Sequence, residues 1–160
     1  MRTVVVSGRQ VLIDDVDFDL FERSTWRLNG PSNYSYVCRY EKRQRKTVGI
    51  FFHREILGAP KDMCVDHING NTLDNRRENL RLCTHAENMK NRKMHSNNRC
   101  GFKGVWEDRS TKRRSPFVAQ IRVNGKRIQI GRFQTAELAH KAYLKAAAKL
   151  HGEFKRSSTR

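Results

Sequence analysis

Acidic residues and long apolar runs are both scarce in this sequence. Its 160 residues include 16 Asp or Glu against 33 Lys or Arg, which gives a formal net charge of +17. The one early apolar run, residues 4–6, is too short for a signal peptide or a membrane span. We therefore expect an intracellular protein. A membrane-surface protein ranks last, because no basic amphipathic helix with a bulky apolar face is present.

Cysteine is scarce as well. The four cysteines, Cys38, Cys64, Cys83 and Cys100, form no C-x-x-C pair. We therefore expect neither a structural zinc site nor a disulfide framework, and free thiols in a reducing cell fit this spacing better. A chain of 160 residues can hold two or three small modules, each with a modest core, rather than one large core.

The positive charge lies almost entirely in the second half of the chain. Residues 1–75 hold 11 Lys or Arg and 10 Asp or Glu, whereas residues 76–160 hold 22 and 6, an excess of +16. A surplus of this size destabilises the compact state unless a polyanion offsets it. Nucleic acid is therefore the expected partner.

Residues 64–93 place a carboxylate, an imidazole and several carboxamides in a strongly basic stretch. Phosphodiester hydrolysis needs a base for water, a hard cation at the phosphate and positive charge that holds the nucleic acid. His67 is the candidate base, because an imidazole can be neutral at physiological pH. Asp66 and Asn88 are the candidate metal ligands, since Mg²⁺ prefers oxygen donors and takes few of them from the protein.

Asp66-His67, Asn79 and Asn88 stand in the order and spacing found in HNH endonucleases of the homing type, which residues 50–93 resemble. The resemblance implies a ββα-metal motif. In that motif Asp66 and Asn88 would bind a divalent ion, His67 would activate water, and Asn79 would hold the histidine in orientation. Individually, such residues are more often turn formers or hydrogen-bonded side chains.

Local sequence signals agree with this motif. The resemblance places strands near residues 64–68 and 80–83, and Asn69-Gly70 between them is a turn dipeptide. Thr84 followed three residues later by Glu87 forms a capping box, which predicts a helix beginning directly after Thr84.

The motif does not determine which metal binds or what roles His53 and His85 have. Its last position is Asn88 rather than the histidine of many HNH nucleases, which favours Mg²⁺, with Mn²⁺ as the alternative, over a softer metal. Neighbours on a regular strand point to opposite faces, whereas Asp66 and His67 must both face the phosphate, so we predict an irregular backbone there. A regular strand with these side chains on opposite faces and no convergence with Asn88 would count against the assignment of Asp66. His53 has either a packing or a site role, and His85 either a site role or none beyond solvation.

Residues 101–154 form a second unit with strands predicted at 102–106, 116–123 and 127–133, and a turn at Asn124-Gly125. A helix is predicted from Thr135, its N-cap, to His151, with Gly152 as the stop. A stripe of small residues would let the helix lie close on one face of the sheet. The members of this stripe are Ala139, Ala142, Ala146 and Leu150.

Gly101 to Trp106, Val118 to Arg122 and Gly125 to Glu137 resemble the Apetala-type, or ethylene-response-factor, DNA-binding domain. That family lays its sheet in the major groove, where Arg suits guanine and Gln suits adenine. The resemblance therefore implies DNA contacts at six matched positions, Lys103, Trp106, Gln120, Arg122, Arg127 and Gln129. A solvated strand face is the alternative for these side chains, and packing on the sheet edge is a further alternative for Trp106. Trp106, Gln120 and Gln129 depart from the residues usual in the plant factors, so the target sequence does not transfer.

The predicted fold class is α+β, with a ββα-metal core and a three-stranded antiparallel sheet packed on one helix. The predicted domains are a β-rich segment at 1–62, the catalytic motif at 63–93, a linker at 94–100, the Apetala-type domain at 101–154 and a basic tail at 155–160. In the first segment, strands are expected near residues 3–6, 10–13, 34–40 and 47–52.

These signals together predict a metal-dependent HNH endonuclease that cuts a recognised site in double-stranded DNA. The homing-type resemblance suggests a phage or mobile-element setting, in the cytoplasm of a bacterial or infected cell. One motif per chain allows a nicking monomer or a dimer that breaks both strands, and no protein partner is implied. The alternatives are a non-catalytic DNA-binding regulator and, less favoured, an RNA-directed nuclease.

Overall fold

The computed structural model describes residues 1–32, 34–91, 98–110, 114–123 and 125–152. The chain divides into two compact units, Met1–Asn88 and Met89–Arg160. Each unit combines α-helical and antiparallel β structure, which confirms the α+β class. Most of the predicted linker and the whole basic tail lie outside the described residues. No helix in the described parts of the chain is long and apolar enough to cross a membrane.

In its described residues the first unit holds three small antiparallel sheets and three short α-helices. Its elements in chain order are β1 (Arg2–Val6), β2 (Arg9–Ile13), α1 (Phe18–Glu22), β3 (Arg27–Asn29), β4 (Tyr36–Arg43), β5 (Lys46–Phe51), α2 (Phe52–Ile56), β6 (Cys64–His67), β7 (Leu80–Cys83) and α3 (His85–Asn91). The sheets pair β1 with β2, β3 with β4 and β5, and β6 with β7.

The N-terminal hairpin turns at Ser7 and Gly8, whose φ angles are 49° and 76°. Two consecutive positive φ angles are what a two-residue hairpin turn of the primed type requires. Across this turn β1 and β2 stay in regular antiparallel register. The two strands lie where the sequence predicts them.

The core of the first unit is built around Phe52, whose side chain has no exposed surface. The Trp26 ring packs edge-on against it at 4.8 Å between centroids, and the Trp26 indole donates a 2.8 Å hydrogen bond to the Phe21 carbonyl. Val11 and Val37 are also fully buried in this core. Full burial of a side chain such as phenylalanine stabilises by about 1.5–3 kcal/mol, so this cluster fixes the elements that surround the candidate site.

Strands β6 and β7 and helix α3 follow one another as the resemblance implies. Thr84 caps α3 as expected, because its hydroxyl accepts from the Glu87 amide at 3.2 Å while the Glu87 carboxylate accepts from the Thr84 amide at 2.8 Å. The expected backbone irregularity at Asp66 and His67 is wrong. The four residues of β6 pair with β7 without a register shift.

The second unit is a sheet with strand order β10-β9-β8 against one long helix, α4. Its elements are β8 (Val105–Glu107), β9 (Phe117–Val123), β10 (Lys126–Phe133) and α4 (Ala136–His151). The Thr135 hydroxyl accepts from the Leu138 amide at 3.3 Å, as expected for an N-cap. Of the predicted turn, Gly125 has a φ of 78°, and Asn124 lies outside the described residues.

Helix α4 packs on the sheet through a stripe that differs from the predicted one. Ala139, Tyr143 and Ala147 are buried against Ala119 and other core residues, whereas Leu150, the predicted end of the stripe, is 42% exposed. Gly104 explains the difference. A Cβ at Gly104 would lie 2.2 Å from a Tyr143 ring carbon, so this glycine makes room for an aromatic residue in the interface.

Candidate active site

His67 ends strand β6 in an aromatic pocket. Its side chain is only 4% exposed. Its ring lies 5.1 Å from the His53 ring and 6.0 Å from the Tyr36 ring, measured between centroids. Its Nε2 atom lies 3.4 Å from the side-chain oxygen of Asn75. Helix α2, strand β4 and the loop between β6 and β7 therefore all contribute side chains around the candidate base.

This environment favours the neutral imidazole. Burial lowers the pKa of His67, while the hydrogen bond to Asn75 and the charges of Asp66 and Asp74 act more weakly in the opposite direction. At neutral pH the ring is therefore uncharged and carries one lone pair that can accept a proton. A general base requires this protonation state.

Asp66 is 6% exposed and paired with Arg81, its register partner on β7. Its Oδ2 atom accepts hydrogen bonds from the Arg81 Nε at 2.9 Å and from Nη2 at 2.6 Å. Because β6 is regular, the Asp66 and His67 side chains leave the strand on opposite faces. The Asp66 charge still contributes to the raised pKa of Tyr36, of which burial is the main cause.

Asn79 is 5% exposed and holds the loop between β6 and β7. Its amide oxygen accepts from the Asn69 backbone at 2.9 Å, and its amide nitrogen donates to the Asp74 carbonyl at 2.7 Å. Its backbone carbonyl also accepts from Ile68 at 2.9 Å. Asn79 thus fixes the backbone that leaves His67, and the structure places Asn75 against the imidazole. The role that the sequence predicts for Asn79, which is to orient His67, stays a prediction.

The donor set offered by Asp66 and Asn88 suits a hard cation. Asn88 lies partly buried on α3, and its backbone amide donates to the Thr84 carbonyl at 3.0 Å. The described residues include no group of three or more His, Cys, Asp or Glu side chains placed to hold a metal. One carboxylate and one carboxamide fit Mg²⁺ or Mn²⁺, which keep several water or phosphate oxygens as ligands. All four cysteines are free thiols.

His53 is a site neighbour whose role the sequence left open. It is 6% exposed, and its Nδ1 atom is buried without a hydrogen-bond partner. Burial, with smaller effects of His67 and Arg54, lowers its pKa to about 3. Its position within the apolar run Phe51-Phe52-His53 is a sequence signal for burial, but its contact with His67 depends on tertiary packing. His85 is exposed on α3.

The second unit presents a polar sheet face opposite α4. Gln120 pairs with Gln129 and Arg122 pairs with Arg127, so strand register places these four side chains on one face. Arg122, Arg127 and Gln129 are exposed, whereas Gln120 is partly buried. The Arg122 carbonyl contacts the His151 Nε2 at 3.1 Å, which holds β9 to the end of α4.

The other two predicted contact residues lie at the edge of this unit. Trp106, on β8, pairs with Val118 and is 41% exposed. Lys103 lies in the turn before β8, and its ammonium donates to the Lys90 carbonyl at 2.7 Å. The DNA-contact roles of all six residues stay predictions.

Comparisons with known proteins support the interpretation of the first unit as an HNH endonuclease motif. A family model described as HNH endonuclease matches residues 55–90. The chain is 36% identical over 95 residues to an uncharacterized HNH endonuclease of Acanthamoeba polyphaga mimivirus, a match that covers 59% of this chain and 46% of that protein. It is 33% identical over 98 residues to Protein 3.8 of Escherichia phage T7, covering 61% of this chain and 77% of that protein.

The matched residues 55–90 contain the hairpin of β6 and β7 and nearly all of α3, which carry the candidate base and both candidate metal ligands. The chain belongs to the HNH endonuclease family. It spans less than half the length of the mimivirus relative and about three quarters of the phage relative. No solved structure matches the chain.

Proposed function

We propose that this protein is a metal-dependent DNA endonuclease of the homing type, which hydrolyses a phosphodiester at a recognised site. The observation that carries the proposal is the buried His67 at the end of β6, whose pKa burial lowers, inside the stretch that matches the HNH endonuclease family. The charge excess in the second half of the chain supports a polyanionic substrate.

In the proposed reaction, His67 takes a proton from water as the water oxygen attacks phosphorus and the bond to the leaving oxygen breaks. Asp66 and Asn88 would hold the divalent ion, Mg²⁺ or Mn²⁺, which when bound supplies charge stabilisation at the phosphate and the leaving oxygen. Arg81 would share the Asp66 carboxylate and hold it in place. Asn79 would keep the loop that follows the base in place.

The second unit would select the DNA site. The resemblance to the Apetala-type domain is supported by a three-stranded antiparallel sheet whose polar face lies opposite the helix. On that face Arg122 and Arg127 lie beside Gln120 and Gln129, and these residue types suit guanine and adenine edges in the major groove. The proposed partner is double-stranded DNA. A monomer would nick it, and a dimer could break both strands.

The proposed setting is a phage-infected or bacterial cell, which the phage and virus relatives support. The competing function is a DNA-binding regulator that retains the fold without cutting. A regulator would not need a proton-accepting imidazole at the end of β6. It would show no metal-dependent cleavage, and its DNA binding would survive His67→Ala.

The test is to incubate wild type and His67→Ala with phage or plasmid DNA libraries, in Mg²⁺ or in EDTA, and to sequence every new end. We expect discrete ends that need Mg²⁺ and are absent with the variant. Ends that persist with His67→Ala would contradict the assigned base. Bound DNA without new ends in any phage library would favour the regulator.

A further inference from the structure

Asn75 is a buried residue that the HNH motif does not include. It has no exposed surface, and its side-chain oxygen lies 3.4 Å from Nε2 of His67. A carboxamide oxygen is an acceptor, so the contact is a hydrogen bond when Nε2 carries the ring proton. This contact with Asn75 therefore favours the His67 tautomer that carries its proton on Nε2.

The backbone around Asn75 is held by the N-terminal hairpin. The Asn75 amide donates to the Leu12 carbonyl at 2.8 Å, and the Leu12 amide donates to the Leu73 carbonyl at 2.9 Å. Leu12 also forms a parallel bridge with Asp74. These contacts from β2 fix the backbone at and just before Asn75, so its side chain leaves the chain at a fixed position beside His67.

A second attachment holds the same loop just beyond Asn75. The Arg77 guanidinium donates to the Asp17 carboxylate at 2.9 and 2.7 Å, and Asp17 is 2% exposed. The Arg77 backbone amide donates to the Asp14 carboxylate at 2.8 Å. The N-terminal segment therefore binds the loop on both sides of Asn75. Asp14 and Asp17 therefore hold this loop in place, a role that the sequence did not indicate.

The Asn75 amide nitrogen is buried without a hydrogen-bond partner. A buried donor left unsatisfied costs about 1–3 kcal/mol, and such groups in a folded protein call for an explanation in function or strain. An apolar residue of similar size would avoid this loss. The contact with His67 explains why a carboxamide stands here.

We propose that Asn75 is the positioning residue of His67: its Oδ1 accepts the Nε2 proton and leaves the lone pair on Nδ1. This inference rests on the proposed function for its catalytic meaning, because Nδ1 is then the atom that accepts the proton of water. An amide oxygen fixes the tautomer without adding a negative charge beside the ring. A carboxylate at the same place would hold the imidazolium instead.

The tautomer is measured directly by NMR of the whole protein labelled with ¹⁵N-histidine, without DNA. In wild type we expect a proton on Nε2 of His67, two widely separated ring nitrogen shifts and slow exchange of that proton with solvent. A proton on Nδ1 instead would overturn the proposal, because Asn75 would then have to donate rather than accept.

Three variants sharpen this measurement. With Asn75→Ala the two shifts should move toward each other and the ring proton should exchange faster. Asn75→Asp, which keeps an oxygen acceptor, should keep a proton on Nε2, while its charge favours a second proton on Nδ1. Asn71→Ala is the matched control, since Asn71 lies in the same loop and its side chain accepts from the Leu73 amide. An unchanged His67 spectrum in a folded Asn75→Ala protein would refute the assignment. If that variant does not fold, the wild-type and Asn75→Asp spectra still decide.

Cleavage kinetics supply the functional readout. On a DNA that wild type cuts, Asn75→Ala should lower kcat at least about 10-fold with little change in KM, since a general base contributes roughly 10²- to 10⁴-fold in all. Asn71→Ala should leave both constants close to wild type. A kcat for Asn75→Ala equal to wild type would contradict the positioning role. A fixed tautomer in a protein that cuts no DNA would instead locate the failure in the proposed function.

Discussion

Acid should destabilise the first unit through His53. Its pKa is about 3 in the folded protein, lowered chiefly by burial, against about 6.5 for an exposed histidine. Below pH 6.5 the unfolded chain binds a proton that the folded chain refuses, so stability falls as the pH falls. Between pH 7 and pH 5 this one group removes about 2 kcal/mol. Burial also lowers the pKa of His67, which adds a loss in the same direction.

The perturbation is His53→Phe, which keeps a ring beside Phe51 and Tyr36 and removes the titrating nitrogens together with the unpaired Nδ1. The free energy of unfolding is measured by urea denaturation at pH 7 and pH 5. Trp106→Phe is used as the background, because Trp26 then becomes the single tryptophan and its fluorescence reports the first unit.

The loss of stability from pH 7 to pH 5 should be smaller in His53→Phe than in its parent by about 2 kcal/mol. The same comparison between pH 7 and pH 8 is the control, and the two proteins should there change almost equally. Equal losses between pH 7 and pH 5 would refute the argument, since His53 would then titrate alike in the folded and unfolded chains.

Two further predictions concern the second unit. Gly104→Ala should destabilise it by about 1–3 kcal/mol more than Gly101→Ala, measured by urea denaturation followed by helical circular dichroism. Both glycines have positive φ, but only at Gly104 would the new Cβ collide with Tyr143. Arg122→Ala should weaken binding to the recognised DNA site by about 1–3 kcal/mol, whereas Lys141→Ala, which removes the same charge from the exposed side of α4, should not. Equal losses within either pair would contradict the account.

Features that depend on local chemistry were predictable from the sequence. The capping box of Thr84 and Glu87 acts within four residues, and the alternation along β9 separates Ala119 and Ile121 from Gln120 in the sequence itself. The order of the two strands and the helix at the candidate site was implied by the resemblance to HNH endonucleases.

Features that depend on contacts between residues far apart in the sequence were not predictable from it. The backbone at Asp66 is regular, because Arg81 lies directly opposite in the ladder of β6 and β7 and pairs with its carboxylate. Asn75 meets His67 because Leu12, far away in sequence, fixes the backbone of the loop. The phase of α4 follows from the space that Gly104 leaves for a tyrosine ring.

The central claim is that His67 is the general base of DNA cleavage, and single-turnover cleavage of a bound fragment tests it most directly. Wild type, His67→Ala and the matched control His85→Ala, which changes an exposed histidine of α3, are compared in Mg²⁺ with DNA binding measured in the same tubes. The account predicts that His67→Ala binds as wild type does but cuts about 10²- to 10⁴-fold more slowly, while His85→Ala cuts at the wild-type rate. Cleavage by His67→Ala at the wild-type rate would contradict it.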